Sequence, residues 1–282
     1  MERIIGISHT MATELTPPEL VTMAAEAGFR HVGFRLSPAR PDEAQHPMIG
    51  DTPMMRDTLA RLADTGVSVF DFDIIRLRVD TDVDRYEPVL DAAARLGARH
   101  ALVAVDDADE ARMADVFGEL CDRGRRARID MSLEFMPWTG IRSLRQAQAF
   151  LGRVDRPNAR VLVDAIHLDR AGETAADVAR TPRAMLGYAQ ICDAPAERPA
   201  DLDTMLYHAR YERMFPGEGE LDLAGLLRAL PRDLPLAVEV PTQKLAPARE
   251  RAVRALAGLR ALLDDLAAFD ATQRDQGKDL RP

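Results

Sequence analysis

Thiol chemistry is nearly absent: the chain has two cysteines, Cys121 and Cys192. They form neither a C-x-x-C pair nor a disulfide framework, which excludes a stapled scaffold and a thiolate metal centre. A reducing, cytoplasmic setting is expected. No apolar run approaches the length that crosses a bilayer, and the first strand follows Met1 and Glu2 without a leader pattern. No membrane partner is expected. A cationic surplus is missing too, since 37 Lys and Arg stand against 46 Asp and Glu, a formal charge of −9. That argues against a nucleic-acid partner, because binding a phosphate backbone needs a basic face. The familiar catalytic motifs are also missing: no P-loop, no G-x-G-x-x-G after a strand, no H-E-x-x-H and no Ser-centred nucleophile elbow. Internal repeats and low-complexity tracts are absent.

What is present is alternation. Strand-like runs at Arg3–Ser8, His31–Leu36, Val67–Phe72 and His100–Val105 are followed by helical patterns at Pro17–Ala27, Thr52–Thr65, Asp84–Leu96 and Asp109–Arg126. Thr16 is placed to cap the first helix and Gly28 to stop it. Four further strands follow, at Met131–Phe135, Val161–Ala165, Tyr188–Cys192 and Leu236–Val240. Helices are expected near Ser143–Val154, Thr174–Arg180, Leu221–Leu230 and Pro247–Phe269. Strict alternation implies a parallel sheet with crossover helices. Eight such units within 282 residues suit an α/β fold of the closed (β/α)8 TIM-barrel type, one domain over residues 1–269 with a polar tail over 270–282. The longest connections, Ser37–Asp51, Asp73–Asp82 and Asp193–Glu220, all follow strand C-terminal ends, the face where barrel active sites lie.

Each of the last four strands carries one oxygen-bearing side chain near its C-terminal end: Glu134, Asp164, Gln190 and Glu239. An ionised carboxylate in an apolar strand is costly unless paired or metal-bound. Four such groups at equivalent places point to one shared cation. The donors are all oxygen, which suits Mn²⁺ or Mg²⁺, with Co²⁺ a further option. Three carboxylates against one dication leave about −1, room for water or a substrate oxygen. The competing view is a set of core polar residues tied to arginines.

His167, just past the strand that ends in Asp164, is a candidate proton carrier or hydroxyl partner. His9 follows the first strand on the same face and is a candidate substrate contact. His31 and His100 begin strands, on the far face, and read as structural; His46 and His208 fall in loops. Arg213, and behind it Arg210, are candidates to clamp an anionic or oxyanionic group. Arg76 and Arg78 serve such a group or stay solvated. Trp138, the only Trp, walls the pocket or caps the barrel. Cys192 reads as a packed thiol.

The segments Leu133-Glu134-Phe135, Val163-Asp164-Ala165-Ile166-His167, Gln190-Ile191-Cys192-Asp193, Arg213-x-x-Pro216-Gly217-Glu218-Gly219 and Val238-Glu239-Val240 resemble the xylose-isomerase-like barrel superfamily, across roughly residues 3 to 265. The resemblance implies a divalent metal at the four places named, and it makes Glu134 and Glu239 candidate proton-exchanging residues, as in ketose epimerases of that superfamily. The usual metal-binding His of the seventh strand is Gln190 here, which resembles the bacterial 3-dehydroshikimate dehydratase branch.

The expected activity is a metal-dependent isomerase or epimerase that abstracts the proton next to the carbonyl of a sugar-like or cyclic polyol ketone. The alternative is a dehydratase of the 3-dehydroshikimate type. Two other classes are weighed: a non-catalytic sugar-binding barrel, and a hydrolase resembling AP endonucleases, which the negative charge disfavours. The oligomeric state is open, a homo-oligomer included.

Overall fold

The computed structural model describes residues 3–40, 43, 45–242 and 246–279. Eight parallel strands close in sequence order: β1 (Ile5–Ile7), β2 (His31–Arg35), β3 (Ser68–Leu77), β4 (His100–Val105), β5 (Asp130–Glu134), β6 (Ala159–Asp164), β7 (Leu186–Ile191) and β8 (Leu236–Val238), with β8 paired back to β1. The helices are α1 (Pro17–Ala27), α2 (Pro53–Thr65), α3 (Glu87–Leu96), α4 (Glu110–Ala127), α5 (Leu144–Val154), α6 (Ala165–Arg170), α7 (Ala175–Ala179), α8 (Leu202–Tyr211), α9 (Leu223–Ala229) and α10 (Ala248–Asp279). This is a single (β/α)8 TIM barrel. Among the described residues, no helix is long and apolar enough to cross a membrane.

Local chemistry explains the element ends. Thr16 and Glu19 form a reciprocal capping box at α1, and Gly28 ends that helix at φ 90°, a backbone state that other residues adopt only with strain. α4 buries Met113, Phe117, Leu120 and Cys121 at helical spacing. Two apolar layers result. The outer one fills the space between strands and helices, with Val32, Phe34, Val103, Leu133, Val161, Val163 and Val238. The inner one fills the barrel, with Phe70, Ile74, Leu102, Leu162, Tyr188 and Ala237. Side chains alternate along a strand. Asp164, Gln190 and Glu239 therefore share the inward face with Leu162, Tyr188 and Ala237, each two residues earlier.

Four differences from the sequence pattern bear on the site. β3 does not stop at Phe72 but runs to Leu77. Its acids Asp71 and Asp73 resemble a strand end, yet they point into the barrel, where other polar groups meet them. The connection after β6 is helical at once, because the Asp164 side chain accepts a hydrogen bond from the Ile166 N–H and caps α6. The longest connection contains α8, capped by Asp201 at the Thr204 N–H, so His208 lies on a helix rather than in a loop. α10 passes Phe269 and continues to Asp279, while 280–282 lie outside the described residues.

The loop after β5 is pressed against the end of β4. The Gly140 N–H donates to the Val105 carbonyl at 2.7 Å, and a Cβ at Gly140 would lie 2.1 Å from the Asp107 carbonyl oxygen. Gly140→Ala is expected to destabilise the protein by about 1–3 kcal/mol, read as a lower denaturant midpoint at unchanged slope.

Candidate active site

Backbone register brings the strand ends together. Glu134 on β5 faces Leu162 on β6, Asp164 faces Gln190 on β7, and Gln190 faces Ala237 on β8, two residues before Glu239. All four residues are at most 5% exposed. Oxygen or nitrogen atoms of Glu134, Asp164 and His167 lie within 4.8 Å of one another. His167, on α6, places Nε2 3.7 Å from Glu134 Oε1.

A cation of the chain itself sits among these acids. Arg213, which follows α8, is 6% exposed. Its Nη1 donates to Asp164 Oδ2 at 2.7 Å and to Glu239 Oε2 at 3.2 Å, and its Nε donates to the Ala209 carbonyl at 2.7 Å. Arg213 lines the cavity, but its first role is that of counter-ion, not of a free substrate clamp. The charge expected from sequence is corrected accordingly. Three carboxylates, one guanidinium and one dication would sum to zero, where three carboxylates and one dication alone leave −1.

Glu239 is further fixed from β1. Thr10 Oγ1 and Ser8 Oγ donate to its Oε1 at 3.0 and 3.3 Å. Sequence reasoning singled out His9 between these two hydroxyls and missed both. The signal available was the Ser8-x-Thr10 spacing at a strand's C-terminal end. His9 itself does not line the cavity. Its Nε2 donates to the Leu15 carbonyl at 3.1 Å, and its Nδ1 accepts from the Arg35 N–H at 3.2 Å, so both ring nitrogens are committed to the backbone. His46 stacks on it at 5.9 Å. Cys192 is a buried, packed thiol, and burial pushes its pKa up.

The electrostatics follow from burial. Glu134 is held well above the usual carboxylate range, by desolvation first and then by repulsion from Glu239 and Asp164. Desolvation also raises Glu239, while Arg213 and the Thr10 hydroxyl pull it back. His167 is pushed well below the usual imidazole range by burial and then by Arg213, so it is neutral at pH 7. Among the buried atoms without a hydrogen-bond partner in the described residues are Gln190 Oε1, His167 Nδ1, Trp138 Nε1 and Arg76 Nε; Gln190 Oε1 is the one carbonyl oxygen of these four. A buried carbonyl oxygen left unpaired is costly. Here it stands beside an acid cluster short of positive charge, so the donor set fits a hard divalent cation.

Above these groups opens a cavity of about 830 Å³, lined among others by Glu134, His167, Trp138, Arg210, Arg213 and Glu239. Trp138 meets His167 edge-on, with ring centroids 5.1 Å apart and planes at 87°. One wall is cationic. Asp106 accepts from Arg76 at 2.8 and 3.1 Å and from Arg78 at 3.4 Å, one acid against two guanidiniums. Burial, followed by Arg76 and Arg40, lowers the pKa of Arg210, the mark of a guanidinium among like charges. Both Arg76 and Arg78 line the cavity; Arg76 is half-buried there, while Arg78 remains exposed to solvent.

Comparison with known proteins agrees with this architecture. Residues 21–262 match the model of the xylose isomerase-like TIM barrel family. The 3-dehydroshikimate dehydratase of Pseudomonas aeruginosa is 27% identical over 281 residues, covering 93% of this chain and 41% of that protein. The chain thus spans about two fifths of the length of that relative. Among solved structures, an IolI protein with a bound zinc atom aligns at a TM-score of 0.76 and 17% identity, covering 94% of this chain and 99% of that one. L-ribulose 3-epimerase aligns at 0.74 and 16%, covering 96% and 98%. At those identities the structural likeness speaks for the fold alone. With a closed eight-stranded barrel, three acids and an amide at four strand ends and a family match over most of its length, the chain belongs to the xylose isomerase-like TIM barrel family.

Proposed function

We propose that this protein is a divalent-metal-dependent enzyme that removes the proton next to the carbonyl of a small polyhydroxylated ketone. The observation that carries this reading is the Glu134–His167 pair on the cavity wall: a carboxyl of raised proton affinity, 3.7 Å from a neutral imidazole. Such a pair can accept a proton from carbon and pass it to oxygen near neutral pH. Glu134, Asp164, Gln190 and Glu239 would hold Mn²⁺ or Mg²⁺, with Co²⁺ a further option, and the ion would polarise the carbonyl and offset negative charge developing on its oxygen. Trp138 walls the substrate against His167, and Arg210 and Arg76 face any anionic group it carries.

Once the proton is lost, two outcomes are open. Return of the proton to carbon isomerises or epimerises the ketone. Alternatively, the electrons of the broken C–H bond form a C=C bond, the β C–O bond breaks, and the hydroxyl leaves as water with a proton from the acid partner. One observation favours this second outcome. Epimerisation by two carboxylates needs bases free on both faces, whereas Glu239 is bound by Ser8, Thr10 and Arg213 and Glu134 accepts no hydrogen bond among those described. The cationic wall suits a carboxylate-bearing ring ketone, and the identity to 3-dehydroshikimate dehydratase supports the same substrate class.

Proton NMR in D₂O on the Mg²⁺-loaded protein, with ketoses, cyclic inososes and 3-dehydroshikimate, tests this. New vinylic or aromatic signals from 3-dehydroshikimate are expected, and chelation should remove them. Deuterium at the carbon next to the carbonyl with a new isomer, and no loss of water, would replace dehydration by epimerisation. No exchange with any ketone would end the proton-abstraction reading.

A further inference from the structure

Among the described residues, one buried acid beneath the site has no ion-pair partner. The β2–β3 register shifts by one residue, so that Val32 faces Val69 but Gly33 faces Asp71. The extra residue, Phe70, belongs to the inner barrel cluster, and Asp71 turns inward beside it. Asp73, two residues on, is tied to the Arg35 guanidinium at 2.7 Å. For Asp71 the described residues supply a different partner: the Tyr188 hydroxyl donates to its Oδ2 at 2.8 Å. Its Oδ1 lies against Gly33, where a Cβ would come within 2.1 Å.

Among the described residues, no cation pairs with Asp71. On its own strand stands Asp73, and past β8 stands Glu239; both act on it as acids. On β2, Arg35 is shared between Asp73 and Glu43. On β4, His100 pairs in register with Asp71, bonds Ser132 at 3.3 Å and is neutral, because burial pushes its pKa down to about 4. On β7, Tyr188 packs on Phe70 and His100 at centroid distances of 4.9 and 5.1 Å. A carboxylate there would be desolvated and repelled, with one neutral hydroxyl to answer it.

We propose that Asp71 is a positioning residue held as a neutral carboxylic acid, forming with Tyr188 the floor of the site two residues below Gln190, and that release of its proton strengthens cation binding above it. The second half rests on the reading of the site as a divalent-metal centre; the first does not. Burial and then Asp73 push Asp71 up to about 8, against the Tyr188 hydrogen bond. The sign for stability follows. A carboxyl bound more tightly to its proton in the folded state costs stability as pH rises from its unfolded value, about 4, towards 8.

Asp71→Asn tests this on the intact protein. Without metal, the melting temperature of the variant relative to wild type is expected to rise steadily from pH 5 to pH 8. A difference that stays flat across that range overturns the neutral acid. Infrared spectra at pH 7 should show a protonated-carboxyl C=O band in wild type that the variant lacks; its absence from wild type overturns the proposal as well. Should Asp71→Asn fail to fold, Tyr188→Phe supplies the second measurement, since losing the hydroxyl should shift that band to higher frequency, and an unmoved band counts against the pairing. Between pH 7 and pH 9, Mn²⁺ should bind wild type about tenfold or more tighter relative to the variant. A constant ratio with the band present would overturn the coupling to metal and leave the neutral floor standing. Loss of Mn²⁺ binding altogether in wild type would instead count against the metal reading of the site.

Discussion

Glu134→Gln is expected to lower turnover by about 10³-fold or more while leaving the barrel folded. The substitution keeps the shape of the side chain and removes its capacity to hold a proton. Groups that transfer protons contribute about 10²–10⁴-fold to rate, and Glu134 is the acid nearest to His167 on the cavity wall. The raised proton affinity of Glu134 comes from burial and from two acid neighbours, so the variant also relieves repulsion. Its stability should therefore equal or exceed that of wild type. This separates chemistry from folding: a kcat near the wild-type value, measured on the metal-loaded variant with the substrate that the NMR panel identifies, would remove Glu134 from the mechanism. Loss of turnover together with a large drop in melting temperature would instead make it a structural residue.

Arg213→Met is expected to be the most destabilising single change in the site, by about 3–5 kcal/mol in the absence of metal. It strips the counter-ion from Asp164 and Glu239, two acids at 0% and 5% exposure, and leaves them to repel each other in a desolvated space. It also removes the bond from Nε to the Ala209 carbonyl at the end of α8. A divalent cation should offset part of the loss, because an ion that binds only the folded state stabilises it by about 2.7 kcal/mol at a hundred times its dissociation constant. The melting temperature of the variant should thus rise more on adding Mn²⁺ than that of wild type. Equal rises in the two proteins would mean that Arg213 and the cation do not share the same acids. Arg213→Lys restores the charge but not the bridge between two carboxylates and a carbonyl, so it should recover only part of the stability.

Much of the fold could be read from the sequence because it rests on local rules. Thr16, Glu19 and Gly28 set the limits of α1 through hydrogen bonds within one turn, and the alternation of apolar strands with amphipathic helices implied a parallel closed sheet. β3 was read short because a period-two pattern with two acids looks like a strand end, and only the barrel interior shows where Asp71 and Asp73 go. α8 was missed because one residue of it, Ala209, is buried, which gives an apolar stripe too weak to see. The four acid and amide side chains of the candidate site were legible since each sits at the end of an apolar strand, where a polar side chain is costly without a partner. Their partners were not legible. Arg213 lies 49 residues from Asp164, and Ser8 and Thr10 lie about 230 residues from Glu239, so no spacing rule links them. The sequence by itself determined the barrel and the set of polar side chains at its strand ends, because strand periodicity and the cost of a buried charge act along the chain. The tertiary structure alone decided the charge of the site, the neutrality of His167 and the withdrawal of His9 from the cavity, because those depend on which distant groups share one desolvated space.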